Sequence, residues 1–103
     1  MIRHIVAMRF RNDVTAADKA SIYDALRRLS GHIEGILDFR TFVNVSVELP
    51  LVRGFNDVFW FDFRDEAVRD AYLADAEHRK IGARIVANLE GGADGVFVFD
   101  LEL

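Results

Sequence analysis

The chain has 103 residues, with 13 Lys and Arg against 17 Asp and Glu, three His and no Cys, so its formal net charge is −4. This length predicts one domain over residues 1–103, and the lack of cysteine excludes a disulfide framework. An acidic chain with scattered basic residues is not expected to bind nucleic acid.

The composition also bears on compartment, metal binding and assembly. The longest purely apolar run is far too short to cross a bilayer, and a strand pattern begins at Met1. With no cysteine either, we expect a cytoplasmic protein without membrane contact. The spacing of the three histidines predicts no metal site. Nine Phe, one Trp and two Tyr are more aromatic surface than a thin two-layer domain readily hides, which favours oligomerisation.

The first half of the chain predicts a strand, a helix and a second strand. Residues 2–10 alternate with the period of a strand. Thr15 is the predicted N-cap of a helix whose apolar residues recur at three- and four-residue steps. Ser30-Gly31 ends that helix, and a long extended segment is predicted over residues 36–49.

The second half predicts a strand, two helical stretches and a last strand. Pro50 and Gly54 bracket a loop, and residues 55–63 follow as a strand dense in aromatic residues. Asp65 can cap the next helix, and a further helical stretch is predicted over residues 77–89. A final strand over residues 95–101 closes the domain.

This order of elements predicts an α+β, ferredoxin-like fold, in which helices cover one face of a four-stranded antiparallel sheet. The uncovered face of such a sheet should be polar, but here it is predicted to be apolar. Its predicted apolar members are Ile5, Ala7, Val58 and Trp60. An apolar open face usually marks a partner surface, so we expect two copies to pack these faces together as a homodimer, with Trp60 as an anchor.

Several segments resemble the stress-responsive dimeric alpha-beta barrel (Dabb) family. They are IRHIVAMRF at 2–10, the helix start at 15–18, Gly35-Ile36, residues 44–48, residues 54–57, AYLADAEH at 71–78 and FVFD at 97–100. Their order and spacing match over essentially the whole chain. The resemblance implies ferredoxin-like subunits joined face to face into a barrel.

The resemblance also implies a chemistry. The family's best-understood activity is that of a plant polyketide cyclase, which folds a linear polyketide acid by aldol condensation without a metal or cofactor. Carried over residue by residue, it implies Tyr72 and His78 as the catalytic pair and His4 as a polar group of the pocket. The chain departs from the family in two places. Asp75-Ala76 stands where the family often has His-Pro, and Asp57 stands where it often has His.

Tyr72 and His78 can act on one substrate only if the helix breaks between them. On an unbroken helix, six residues turn the chain by roughly 600° and leave the side chains about 120° and about 9 Å apart. Asp75 can end one helix and cap the next, which puts His78 in a first helical turn. A helix N-terminus there would lower the pKa of His78, as suits a general base. The alternative is a core tyrosine and an exposed histidine.

The remaining candidates have a functional and a structural interpretation. His4 and Asp57 are predicted on the helix-covered face, where they could form an ion pair that serves a ligand or simply stability. Phe59 and Phe61 share that face and could line an apolar ligand pocket or be plain core. His32 is predicted to be a solvent-exposed loop residue.

Two functions follow as hypotheses. The first is a cofactor-free pocket for a small apolar or aromatic carbonyl ligand, with His78 as base, Tyr72 as proton donor and His4 as a polar contact. Its reaction would be an aldol-type cyclisation or an isomerisation. The second is a non-enzymatic, stress-associated dimer that acts as an interaction or ligand-buffering module. A cofactor-free monooxygenase is a third possibility that no residue singles out.

Overall fold

The computed structural model describes all residues from 1 to 103. Strands β1 to β4 span Ile2–Met8, Ile36–Val43, Asp57–Phe63 and Val96–Glu102. Helices α1 to α4 span Ala16–Arg28, Leu49–Val52, Glu66–Ala74 and Ala76–Ala87. Short 3-10 turns cover Leu29–Gly31 and Gly92–Gly95. The predicted order of elements is confirmed, and α2 is an additional single turn inside the predicted loop.

The four strands form one antiparallel sheet in the order β2-β3-β1-β4. Together with helices on one face, this is the predicted ferredoxin-like fold. The register sets His4 between Phe61 on β3 and Asp100 on β4. One step along β1, on the other face, it sets Ile5 between Trp60 and Phe99.

Local hydrogen bonds explain where the helices begin. Thr15 and Asp18 form a reciprocal capping box at the start of α1, as the sequence predicts. The side chain of Asp65 accepts from the backbone N–H of Val68 and caps α3. None of the helices combines the length and apolar character that a bilayer crossing requires.

The predicted second strand is too long, since β2 ends at Val43. Asn44 breaks the alternation because its side chain bonds the local backbone. It accepts from the N–H of Ser46 and donates to the carbonyl of Phe55. Pro50 then lies in the first turn of α2, where its missing N–H costs nothing.

A tight contact fixes the chain as it enters β2. Gly35 has φ +96°, and a Cβ built on it would lie 2.5 Å from Cγ2 of Val68 on α3. Only glycine satisfies both the left-handed backbone and the close approach. The side chain of Val68 on α3 therefore lies directly against the backbone at the start of β2.

The core lies between the sheet and helices α1, α3 and α4. Met8, Phe61 and Phe63 are fully buried, and Tyr72 joins them from α3. The Tyr72 ring packs on those of Phe61 and Phe63, with centroids 4.9 and 5.0 Å apart. The alternation of β1 and β3 therefore predicts the covered face correctly.

Helices α1, α3 and α4 all leave the opposite face of the sheet uncovered, and this face is largely apolar. Its exposed aromatic and aliphatic residues are Phe42, Phe97, Phe99 and Leu101. Trp60 stacks against Phe42 at a centroid distance of 4.7 Å, and the Arg3 guanidinium lies 4.7 Å from the Trp60 ring. Arg3 also forms a bidentate pair with Asp62 at 2.8 and 3.1 Å.

Candidate functional site

A cavity of about 440 Å³ opens between the β1 and β4 half of the sheet and helices α3 and α4. Eight of its fourteen lining residues are hydrophobic, so it would desolvate an apolar ligand. Tyr72 is one of these eight and adds a hydroxyl, and the other polar groups come from His4, Arg69, Asp70, His78 and Asp100. Phe59 and Gly82 contribute to the remaining wall.

A break at Asp75 brings Tyr72 and His78 together. Asp75 has extended backbone angles, φ −67° and ψ 133°, so α3 stops and α4 starts in a new direction. Its carboxylate accepts from the backbone N–H of His78 at 2.9 Å. The Tyr72 and His78 rings consequently lie with centroids 3.9 Å apart, at an angle of 34°. The structure thus contains the helix break that the sequence argument required.

Burial controls the charge of His78. It lowers the pKa of His78 because the cation loses hydration, and nearby His4 adds to the effect. The Asp75 carboxylate and the backbone carbonyls of Leu73 and Tyr72 oppose it. Burial, rather than the helix N-terminus on which the sequence argument relied, is the main cause. Nδ1 of His78 is buried without a well-aligned hydrogen-bond partner.

Tyr72 stays protonated at the same place. Its side chain is 1% exposed, and burial raises the pKa of its hydroxyl well above 10. A protonated phenol is a hydrogen-bond donor, and it lies beside a neutral imidazole. The pair can therefore combine a donor and a proton acceptor within one apolar cavity.

His4 has a different partner from the predicted one. Its Nδ1 lies 2.7 Å from Oδ1 of Asp100, and Oδ2 of Asp100 accepts from Arg69 at 3.1 Å. The predicted His4–Asp57 pair is wrong, because Asp57 lies opposite Met8 in the register and accepts from Lys19 at 2.9 Å. The contact with Asp100 fixes the orientation of the buried His4 ring.

The predicted site residues divide into two groups. His4, Phe59, Tyr72 and His78 line the cavity together. Phe61 is fully buried behind the Tyr72 ring and does not line the cavity, and Asp57 also lies outside the lining.

Three polar residues that line the cavity were not predicted from the sequence: Arg69, Asp70 and Asp100. Alternation along β4 puts Asp100 on the same face as Val96 and Val98, which was a usable signal. Pairing β4 with β1 would have placed it beside His4. Arg69 precedes Tyr72 by three residues on α3, so both face the same side of that helix.

His32 is also more than a solvent-exposed loop residue. Its side chain is 52% exposed, but Nε2 lies 2.8 Å from Oδ1 of Asp75. It thus contacts the carboxylate that caps α4. No group of three His, Asp or Glu side chains is arranged to hold a metal ion.

These features define a small ferredoxin-like domain with an apolar cavity between its sheet and two helices. The chain belongs to the stress responsive A/B barrel domain (Dabb) family, whose family model matches residues 2–103. No curated protein matches it in sequence.

Solved structures are similar over almost the whole chain. A dimeric ferredoxin-like protein of unknown function from Jannaschia sp. CCS1 is 27% identical, with a TM-score of 0.88, over 99% of this chain and 98% of that one. A protein of Arabidopsis thaliana is 21% identical, with a TM-score of 0.87, over 100% and 95%. The hydroxynitrile lyase of Passiflora edulis is 13% identical, with a TM-score of 0.82, over 99% and 92%. The last two likenesses concern the fold alone.

Proposed function

We propose that the cavity binds a small apolar or aromatic carbonyl compound and that the chain removes a proton next to the carbonyl without a cofactor. The contact of Tyr72 with His78 carries this proposal, because it places the ring of a neutral base against the ring of a phenol donor, with centroids 3.9 Å apart, in an apolar cavity. Proton abstraction of this kind is the first step of an aldol cyclisation and of an isomerisation.

Each polar side chain then has a role. With its proton on the buried Nδ1, His78 has an unprotonated Nε2, which accepts the substrate proton. The Tyr72 hydroxyl donates to the carbonyl oxygen, which becomes an enolate oxygen. The enolate carbon attacks a second carbonyl, and protonated His78 returns the proton to the resulting alkoxide. His4, oriented by Asp100, supplies a further polar contact.

We propose a homodimer as the working form, with the open sheet faces packed together around Ile5, Ala7, Val58 and Trp60. The exposed Phe97, Phe99 and Leu101 on the same face support this arrangement, since they leave apolar surface uncovered in one subunit. The similar Jannaschia protein is dimeric. The cytoplasmic location stays a prediction.

Deuterium exchange tests the chemistry directly. The protein is incubated in deuterated buffer with 4-phenyl-2-butanone, and loss of the protons next to the carbonyl is followed by NMR. We expect catalysed exchange that falls by about 100-fold or more in His78→Gln, the usual range for losing a general base. Tyr72→Phe should reduce it less, because the base remains. Lys80→Gln, an exposed change on α4, is the matched control.

The alternative function is a non-enzymatic stress-associated dimer that holds or buffers a ligand. The near-complete burial of Tyr72 favours it, since a buried phenol also serves as core. Titration of the same ketone into the protein, followed by chemical-shift changes, separates the cases. Binding without exchange supports the buffering role. If the ketone neither binds nor exchanges, both uses of the cavity are contradicted. Exchange retained in His78→Gln contradicts His78 as base.

A further inference from the structure

We infer that the cavity selects uncharged carbonyl compounds and rejects carboxylates, and that Asp70 and Asp100 determine this choice. The inference rests on the proposed function, since it names the class of substrate for the same cavity. It differs from the acid substrate that the family resemblance implies.

Charge pairing at the cavity supports this selection. Arg69 is the only Arg or Lys among the lining residues, and its guanidinium is already hydrogen-bonded to two carboxylates. Its Nε donates to Asp70 at 3.1 Å, and a terminal nitrogen donates to Asp100 at 3.1 Å. Two carboxylates against one guanidinium give these three side chains a formal charge of −1. A ligand carboxylate would therefore find no free cation.

The order in which a ligand meets these groups strengthens the selection. The Asp70 side chain is 67% exposed, which puts it at the mouth, whereas Asp100 and Arg69 are 27% and 24% exposed. An entering anion would approach Asp70 before any deeper group. The carboxylate of Asp70 repels an anionic ligand, and the low dielectric of the cavity wall strengthens this repulsion.

The deeper polar groups also favour an uncharged ligand. Burial disfavours the His78 cation, so His78 does not offer a counter-charge to a carboxylate. Nδ1 of His4 is already engaged by Asp100. The Tyr72 hydroxyl remains, and a neutral donor of this kind suits a ketone oxygen in an apolar cavity.

A matched pair of ligands tests the inference. Methyl 4-acetylbenzoate and 4-acetylbenzoate share the aryl ketone and differ by a charge at the far end. Binding of each to the dimer is measured by NMR titration at pH 7.5 in low salt. We expect the ester to bind at least about tenfold more tightly, and the difference to shrink in 0.5 M NaCl because salt screens the repulsion.

Asp70→Asn assigns the effect to a residue. It removes a carboxylate from the mouth and frees part of Arg69, so the acid should bind more tightly while affinity for the ester changes less than twofold. Asp24→Asn removes an exposed carboxylate that pairs with Arg27 on α1 and should leave both affinities unchanged. This control separates a local effect from a change in overall charge.

The outcomes distinguish this inference from the proposed function. If the acid binds as tightly as the ester, the selection is overturned while the cavity keeps its carbonyl ligand. An unchanged preference in Asp70→Asn overturns the role of Asp70. If the protein binds neither compound, the proposed function fails, and the inference built on it fails too.

Discussion

The ring centroids of Tyr72 and His78 lie 3.9 Å apart. On an unbroken helix, two residues six positions apart would be separated by about 9 Å along the helix axis. The extended backbone of Asp75 makes the difference, because it ends α3 and its side chain starts α4. The candidate active site therefore depends on one non-helical residue.

Asp75→Ala should reduce the exchange activity by about 10- to 100-fold, the scale expected when a catalytic group is misplaced. The change removes the acceptor for the His78 N–H and the contact with His32. Asp75→Asn keeps an oxygen at the cap and should keep most of the activity. Full activity in Asp75→Ala would show that the cap does not hold the pair in place.

His78 should make the fold sensitive to mild acid. Burial holds the pKa of His78 below 6.5 in the folded chain, so the unfolded chain binds the proton more readily. The stability that depends on neutral His78 is present above pH 6.5 and is lost as the pH falls below it, until the folded pKa is reached. Urea unfolding of wild type and His78→Gln at pH 7.5 and 5.0 measures this effect.

Wild type should lose more stability than His78→Gln over that interval. The other groups that titrate there are the same in both chains, so the difference reports His78. Equal losses in the two proteins would contradict a depressed pKa for His78.

Gly35→Ala should destabilise the fold by about 1–3 kcal/mol, because it forces a Cβ onto a backbone with positive φ and against Val68. The matched control is Gly31→Ala, where a Cβ would meet nothing within 4 Å and φ is not positive. That change should shift the free energy of unfolding by less than about 0.5 kcal/mol. Equal effects of the two substitutions in urea unfolding would contradict the close approach of α3.

Phe99→Asp should convert the proposed dimer into monomers. Phe99 is 41% exposed on the open face, so a single subunit tolerates the change, whereas packing two faces would bury an unpaired charge at a cost of about 3–5 kcal/mol. Trp60→Asp should act in the same direction and also weaken the subunit, since Trp60 packs on Phe42 and Arg3. Sedimentation velocity at matched concentrations measures the assembly state.

Lys80→Asp, an exposed change on α4, should leave the dimer intact. Stable dimers of both Phe99→Asp and Trp60→Asp would contradict packing through the open face.

Local patterns predict most of this fold because they report which face of an element is buried. Alternation on β1 and β3 identifies the covered and open faces, and the capping residues Thr15 and Asp65 locate the starts of two helices. The same pattern overextends β2, because Val45 and Val47 continue the alternation after Asn44 has turned the chain.

The partners within the site depend on non-local register, which periodicity does not report. His4 and Asp57 share a face, but two same-face steps separate His4 from Met8, which lies opposite Asp57. Asp100 reaches His4 only because β4 pairs with β1 at the far end of the chain. The sequence could predict the Tyr72–His78 contact only conditionally, because the two side chains meet if the helix breaks at Asp75 and not otherwise.

The contact between His32 and Asp75 connects the candidate site to the segment that follows α1. His32 lies just after α1, outside the cavity lining, yet it bonds the carboxylate from which α4 begins. A selection for faster turnover should therefore recover substitutions at position 32 as well as in the cavity wall. Such changes would alter how the imidazole of His78 is presented while leaving every ligand contact chemically the same.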